Sequence, residues 1–152
     1  MAGEYGVCAE LCKRGYDVSL TLGNAKAVDV FVGMPNNTYR TIEVKTTRST
    51  RFVTNFFQKY GDRSKPHPDY WVLVRIDAND IFHYYVLSHD EMGLIQMSRN
   101  NMTTWESVPK GVDNVLLSQV SQYEDQWSKI VQPTTQRLHH STTTSLRIDI
   151  IA

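Results

Sequence analysis

Val28-Asp29-Val30-Phe31-Val32-Gly33 and, across a Pro-Asn-Asn break, Tyr39-Arg40-Thr41-Ile42-Glu43-Val44-Lys45-Thr46 are the two runs on which the fold turns. Both are rich in β-branched and aromatic residues and bounded by turn formers, as two strands joined in a hairpin would be. Side chains alternate between the faces of a sheet, so Val28, Val30 and Val32 share the core side and Asp29 takes the other. The same period sets Glu43 and Lys45 on one face and turns Val44 inward. Paired as a hairpin, the runs bring two carboxylates and one amine onto a single strip of sheet.

Outward from this hairpin the chain reads as α/β. Gly3 to Arg14 predicts a helix with Val7, Cys8 and Leu11 as its apolar stripe and Gly15 as its stop. Tyr16 to Leu22 adds a strand ahead of the hairpin, completing an antiparallel meander. A short helix is expected around Phe52 to Tyr60, and Pro66 and Pro68 break the chain before two more strands, Tyr70 to Ile76 and Phe82 to Leu87. The run Tyr70-Trp71-Val72-Leu73-Val74 is almost continuously apolar, which suits a strand covered on both faces. Ser88 and Glu91 form a capping-box signature for a helix through about Met97. Asp113 is expected to open a long amphipathic helix carrying Leu116, Val120, Tyr123, Trp127 and Ile130 at spacings of three and four. Residues 1–132 read as one domain and 133–152 as a Thr/Ser-rich tail with a terminal strand at Leu146 to Ile151.

The 152 residues carry 16 basic and 16 acidic side chains, a formal charge of zero that excludes a surface uniformly coated for polyanions. The zero is a cancellation. Residues 40–75 hold eight basic residues against three acidic, and residues 76–132 hold three against eight. Arg48, Arg51, Lys59, Arg63 and Lys65 interleave with Phe52, Phe56, Phe57 and Tyr60, a composition suited to following a phosphate backbone, although a solvated loop over an aromatic core reads the same way. Cys8 and Cys12 are too few for a disulfide framework or, alone, a zinc site. No apolar run approaches the roughly 18 residues of a membrane span. The first residues lack a basic stretch followed by an apolar one, so a cytoplasmic protein is expected.

Two carboxylates suit a hard divalent cation such as Mg²⁺, which keeps several waters and takes phosphate oxygens as its other ligands. A lysine beside them can orient or help deprotonate water, and the Val44 carbonyl lies between the two side chains as a further oxygen. An acidic-x-Lys triplet arises by chance about once in 150 residues and carries nothing alone. The ordered set does: a helix with an early Glu, a strand, a strand with Asp, a strand with Glu-x-Lys.

That set resembles the PD-(D/E)XK nuclease superfamily, with its restriction-endonuclease-like core, from Gly3 to about Leu87 and more loosely to Val131. The stretch Gly3-Glu4-Tyr5-Gly6-Val7 with Leu11 and Gly15-Tyr16 looks like the family's opening helix. Asp29 matches the motif aspartate, Glu43 the second acid and Lys45 the lysine; Val28 stands where the name-giving proline would be. The resemblance implies an N-terminal helix, an antiparallel meander, further strands and a long C-terminal helix packed on a mixed central sheet. It also implies an Mg²⁺-dependent endonuclease, with Mn²⁺ as a substitute, that hydrolyses phosphodiester bonds in DNA, RNA remaining open. Asp29, Glu43 and the Val44 carbonyl would then hold metal, Lys45 would position water, and Glu4 would support the site. By periodicity alone Glu4 reads equally as a first-turn acid favoured by the helix dipole. Arg48, Arg51, Lys59, Arg63 and Lys65 would hold the nucleic acid. With no separate reading domain visible, a homodimer or a specificity-conferring partner protein is expected. Two alternatives stay open: a catalytically silent nucleic-acid-binding module of the same fold, and an assembly unit.

Overall fold

The computed structural model describes residues 1–21, 28–104 and 111–130. The expected terminal strand and the 133–152 tail lie outside the described residues.

Helix α1, Ala2–Lys13, buries Gly3, Val7 and Leu11 along one face, four residues apart. It ends in a Schellman motif, with Gly15 at φ 87° donating to the Cys12 carbonyl at 2.9 Å and Tyr16 to that of Leu11 at 3.1 Å. The helix sits unusually close to the sheet. A Cβ built on Gly3 would fall 1.9 Å from Thr46 Oγ1, and one on Gly6 2.6 Å from the Tyr84 hydroxyl.

The meander follows as β1 (Val18–Leu20), β2 (Val30–Met34) and β3 (Thr38–Thr47), each antiparallel to the last. β1 is shorter than the Tyr16 to Leu22 run expected of it. The chain then crosses over through β4 (Arg51–Val53) and α2 (Phe56–Tyr60) to β5 (Tyr70–Ile76), which runs parallel to β3, and turns back into antiparallel β6 (Phe82–Ser88). The five-stranded sheet has the order β1-β2-β3-β5-β6.

Both faces of this sheet are covered, which explains the continuous apolar run of β5. On one side Val7, Leu11, Val30, Val32, Ile42, Val44, Val72, Val74 and Val86 form a core under α1. On the other, Trp71, Leu73, Tyr85 and Leu87 pack against Phe52, Phe56, Phe57, Tyr60 and Met92. Helix α3, His89–Arg99, begins with the expected capping box: the Glu91 N–H donates to Ser88 Oγ at 3.1 Å, and the Ser88 N–H to Glu91 Oε1 at 2.9 Å.

Two expectations are corrected. The helix expected over Phe52 to Tyr60 divides into β4 and α2, because Phe52 pairs with Val115 and Asn55 takes a left-handed φ of 53° between them. The long helix expected from Asp113 does not form either. Asn114–Leu116 is β7, paired antiparallel with β4; one helical turn, α4 (Leu117–Val120), follows, then 3₁₀ turns at Ser121–Tyr123 and Trp127–Ile130. Asp125, at φ 53°, breaks the segment, and its N–H donates to the Tyr84 carbonyl at 2.8 Å. Val120 and Tyr123 pack into one core, whereas Trp127 and Ile130 pack into the other. The segment thus wraps around the β6 edge, which a single straight helix could not do. The spacing of three and four was real; each piece uses it on a different face.

Candidate active site

The β2–β3 hairpin brings the three motif residues together. Asp29 immediately precedes β2, where its N–H still donates to the Ile42 carbonyl at 3.1 Å. Its Oδ2 accepts from the Val44 N–H at 2.7 Å, so the side chain reaches along the edge of β3. Glu43 and Lys45 share the β3 face opposite the Val44 side chain, with Glu43 beside Trp71 and Lys45 beside Leu73 in the parallel register.

Glu43 is only 2% exposed. A carboxylate in such a place must be compensated. Lys59 Nζ donates to Oε1 at 2.8 Å, Lys45 Nζ stands 3.2 Å from the same oxygen, and the Tyr60 hydroxyl donates to Oε2 at 2.8 Å. Burial by itself lifts the pKa of Glu43, but the Lys59 and Tyr60 hydrogen bonds and both ammonium charges overcome it and hold the carboxyl below its ordinary value. Asp29 goes the other way. Burial raises it, the charges of Glu43 and Glu4 add to the rise, and the Val44 N–H and Lys45 offset only part.

Glu4 projects from the first turn of α1, which the close seating of Gly3 on Thr46 holds against β3. Its charge acts on Asp29, so it belongs to the same electrostatic cluster. Glu4 Oε2 is buried and pairs with the Met1 ammonium at 2.9 Å. The basic residues are distributed around the site. Arg48 pairs with Asp80 at 2.9 Å, with both side chains exposed, and Arg51 lies exposed on β4. Arg63 and Lys65 lie exposed in the loop that enters β5, while Lys59 turns onto Glu43.

Four contributors lay outside the sequence-based candidates for this role. Tyr60 and Lys59 reach Glu43 from α2, and Asp113 fixes α2 by accepting from the Phe57 and Gln58 N–H groups at 3.0 and 3.3 Å. His89 is the fourth: Trp71 Nε1–H donates to its Nδ1 at 3.0 Å, Phe56 stacks on it, and His67 lies nearly parallel at 4.0 Å. Burial, reinforced by His67, pushes its pKa down to about 4. The sequence signal for Lys59 and Tyr60 was that aromatic and basic residues alternate through the crossover.

Among the described residues no three acidic, histidine or cysteine side chains form a metal cage. Mg²⁺ does not require one, since it retains waters and is commonly held by one or two carboxylates plus substrate phosphate. The donor set fits such an ion: hard oxygens only, with Asp29 raised by burial and then by the neighbouring Glu43 and Glu4 charges. Among the described residues no helix is long and apolar enough to cross a membrane.

In comparison with solved structures, the chain is similar to a bacterial homing endonuclease, with a TM-score of 0.56 at 12% identity over 91% of this chain and 93% of that one. A Holliday junction resolvase from Archaeoglobus fulgidus gives a TM-score of 0.47 at 13% identity over 80% and 86% of the two chains. No family model matches the sequence, and no curated protein matches it. The likeness is one of fold: a mixed α/β architecture of the restriction-endonuclease-like type.

Proposed function

We propose that the protein is a metal-dependent endonuclease that hydrolyses phosphodiester bonds in DNA, using Mg²⁺ or, in its place, Mn²⁺. The observation that carries this reading is the convergence of Asp29, Glu43 and Lys45 at the open end of the β2–β3 hairpin, on a fold shared with a homing endonuclease. Asp29, Glu43 and the Val44 carbonyl would hold the cation. Because a strand residue's N–H and C=O leave by the same edge, the N–H bond from Val44 to Asp29 aims that carbonyl along the Asp29 edge of β3.

The bound cation would polarise the scissile phosphate and assist deprotonation of water. Lys45 holds the attacking water in line and offsets charge that builds on the phosphoryl oxygens. Burial and then the Glu43 and Glu4 charges raise the Asp29 carboxyl, whereas Glu43 is held low, so the two carboxylates differ in basicity. Glu4 adds negative charge from the helix side. Water oxygen bonds to phosphorus, one bridging P–O bond breaks, and the departing alkoxide takes up a proton, leaving a phosphate monoester and a free hydroxyl. Arg51, Arg63 and Lys65 carry the flanking backbone, joined by Arg48 if it leaves Asp80. A homodimer or a partner protein would supply sequence or structure selectivity.

Plasmid DNA incubated with the full chain and Mg²⁺ is expected to be nicked, and Asp29→Ala and Lys45→Ala to slow nicking by about 100-fold or more. Equal cutting by wild type and both variants would show that the site has been misassigned. One observation favours the second reading, a catalytically silent nucleic-acid-binding or assembly module: both Glu43 oxygens are already bonded within the protein. That module would bind DNA in a salt-sensitive way and cut none with any divalent ion.

A further inference from the structure

The sequence places Lys59 in the basic segment, yet its ammonium points into the site. It sits on a five-residue helix with Nζ 2.8 Å from Glu43 Oε1, an oxygen that Lys45 also reaches at 3.2 Å, while the Tyr60 hydroxyl takes Oε2 at 2.8 Å. Both Glu43 oxygens are therefore engaged by donors before any cation binds, Oε1 by two ammonium groups. A divalent ion shared with Asp29 must take a place on a carboxylate that already holds two ammonium groups.

The three donors differ in their freedom to leave. Tyr60 is buried among Phe56, Trp71 and His89. The Lys45 side chain is 21% exposed and rises from the centre of the sheet beside Leu73. The Lys59 side chain is 36% exposed, so its four-carbon stem already lies at the solvent boundary. Its departure needs no movement of the core. Charge balance points the same way: Asp29 and Glu43 against Lys45 and Lys59 is neutral without metal, so a buried carboxylate survives in the metal-free protein.

We propose that Lys59 is a tethered counter-ion, neutralising Glu43 in the metal-free protein and giving up its place on Oε1 to an incoming divalent cation. This rests on the reading of Asp29 and Glu43 as metal ligands. It makes Lys59 a competitor of the metal, the reverse of a residue that builds the metal site.

The test is calorimetric titration of Mn²⁺ into the full chain without DNA. Lys59→Met is expected to bind Mn²⁺ roughly fivefold more tightly than wild type, about what removing one partly exposed competing ion pair provides. Lys59→Arg, which keeps the charge, and Lys65→Met, which removes an exposed charge nearby, should stay at wild-type affinity. If Lys59→Met fails to fold by circular dichroism, Lys59→Gln takes its place with the same expectation. Equal or weaker binding by the neutral variant overturns the proposal, as does equal tightening in Lys65→Met. The metal reading fails separately if Asp29→Asn binds as wild type does. Binding by neither wild type nor the neutral variant overturns both.

Discussion

Tyr60→Phe removes one oxygen and keeps the ring. The ring packs against Phe56, Trp71 and His89 at centroid distances of 6.2, 5.7 and 5.4 Å, contacts that phenylalanine reproduces. What is lost is the 2.8 Å hydrogen bond to Glu43 Oε2, with tyrosine 6% and glutamate 2% exposed. A hydrogen bond to a charged group contributes about 1.5–3 kcal/mol, and water cannot readily replace this one, so a loss of about 2 kcal/mol is expected at pH 7. For a chain of this size that lowers Tm by about 4–8 °C.

The pH dependence makes the prediction specific. Glu43 is held below its ordinary pKa, so its contribution is present above the unfolded carboxylate value and is lost as pH falls through the lowered folded value. Without the hydroxyl that contribution shrinks, and the gap between wild type and variant closes in acid. Tyr60 has its own pKa raised by burial and then by the Glu43 charge, so wild type also loses stability as pH climbs past about 10, where the unfolded tyrosine ionises. The variant lacks that alkaline loss. Urea denaturation of both chains from pH 3 to 10.5 measures all of this. A difference below about 0.5 kcal/mol at pH 7, or one that stays constant into acid, would refute the reasoning, because a charged acceptor left bare costs more than that.

Asp113→Ala should destabilise by about 1 kcal/mol, since its carboxylate caps two N–H groups of α2 from the residue just before β7; thermal melts with Asp113→Asn as the milder variant check it. His89 keeps a depressed pKa of about 4 against an ordinary 6.5, so its ring stays neutral at pH 5.5 in the folded chain, which a ¹H NMR titration of the imidazole reads directly. Its contribution is full above pH 6.5 and falls as pH drops toward 4, an acid-side loss of about 3 kcal/mol that His89→Phe should flatten.

Much of the fold was legible where local chemistry decides it. The turn residues at 35–37, the period-two runs and the Ser88–Glu91 box each act over a few residues, and α1, the meander, β5, β6 and α3 follow from them. The Asp29, Glu43 and Lys45 convergence was legible for the same reason: one hairpin carries all three. The occupants of Glu43 were not. Lys59 and Tyr60 lie 16 and 17 residues beyond it, brought back by a parallel crossover whose path no local periodicity encodes. The misread helix after Asp113 has a related cause. Period-three and period-four spacing records which residues are buried, not whether one rod or several short turns buries them. Here the free edge of β4 drew Asn114–Leu116 into a strand, and a left-handed residue at Asp125 let the chain change faces.

The close seating of α1 bears on the order in which the molecule comes together. Gly3 and Gly6 let the helix approach the sheet, and each costs it about 0.5–1 kcal/mol of intrinsic helicity relative to alanine. A 12-residue helix so composed is not self-supporting in water. It becomes a helix by docking, on a β3 already paired with β2. Glu4 rides on the turn that depends most on this docking, so its carboxylate joins Asp29 only after the hairpin is built. In hydrogen exchange the first turn of α1 should therefore open at lower free energy than β3, making the acidic cluster the last part of the site to assemble and the first to come apart.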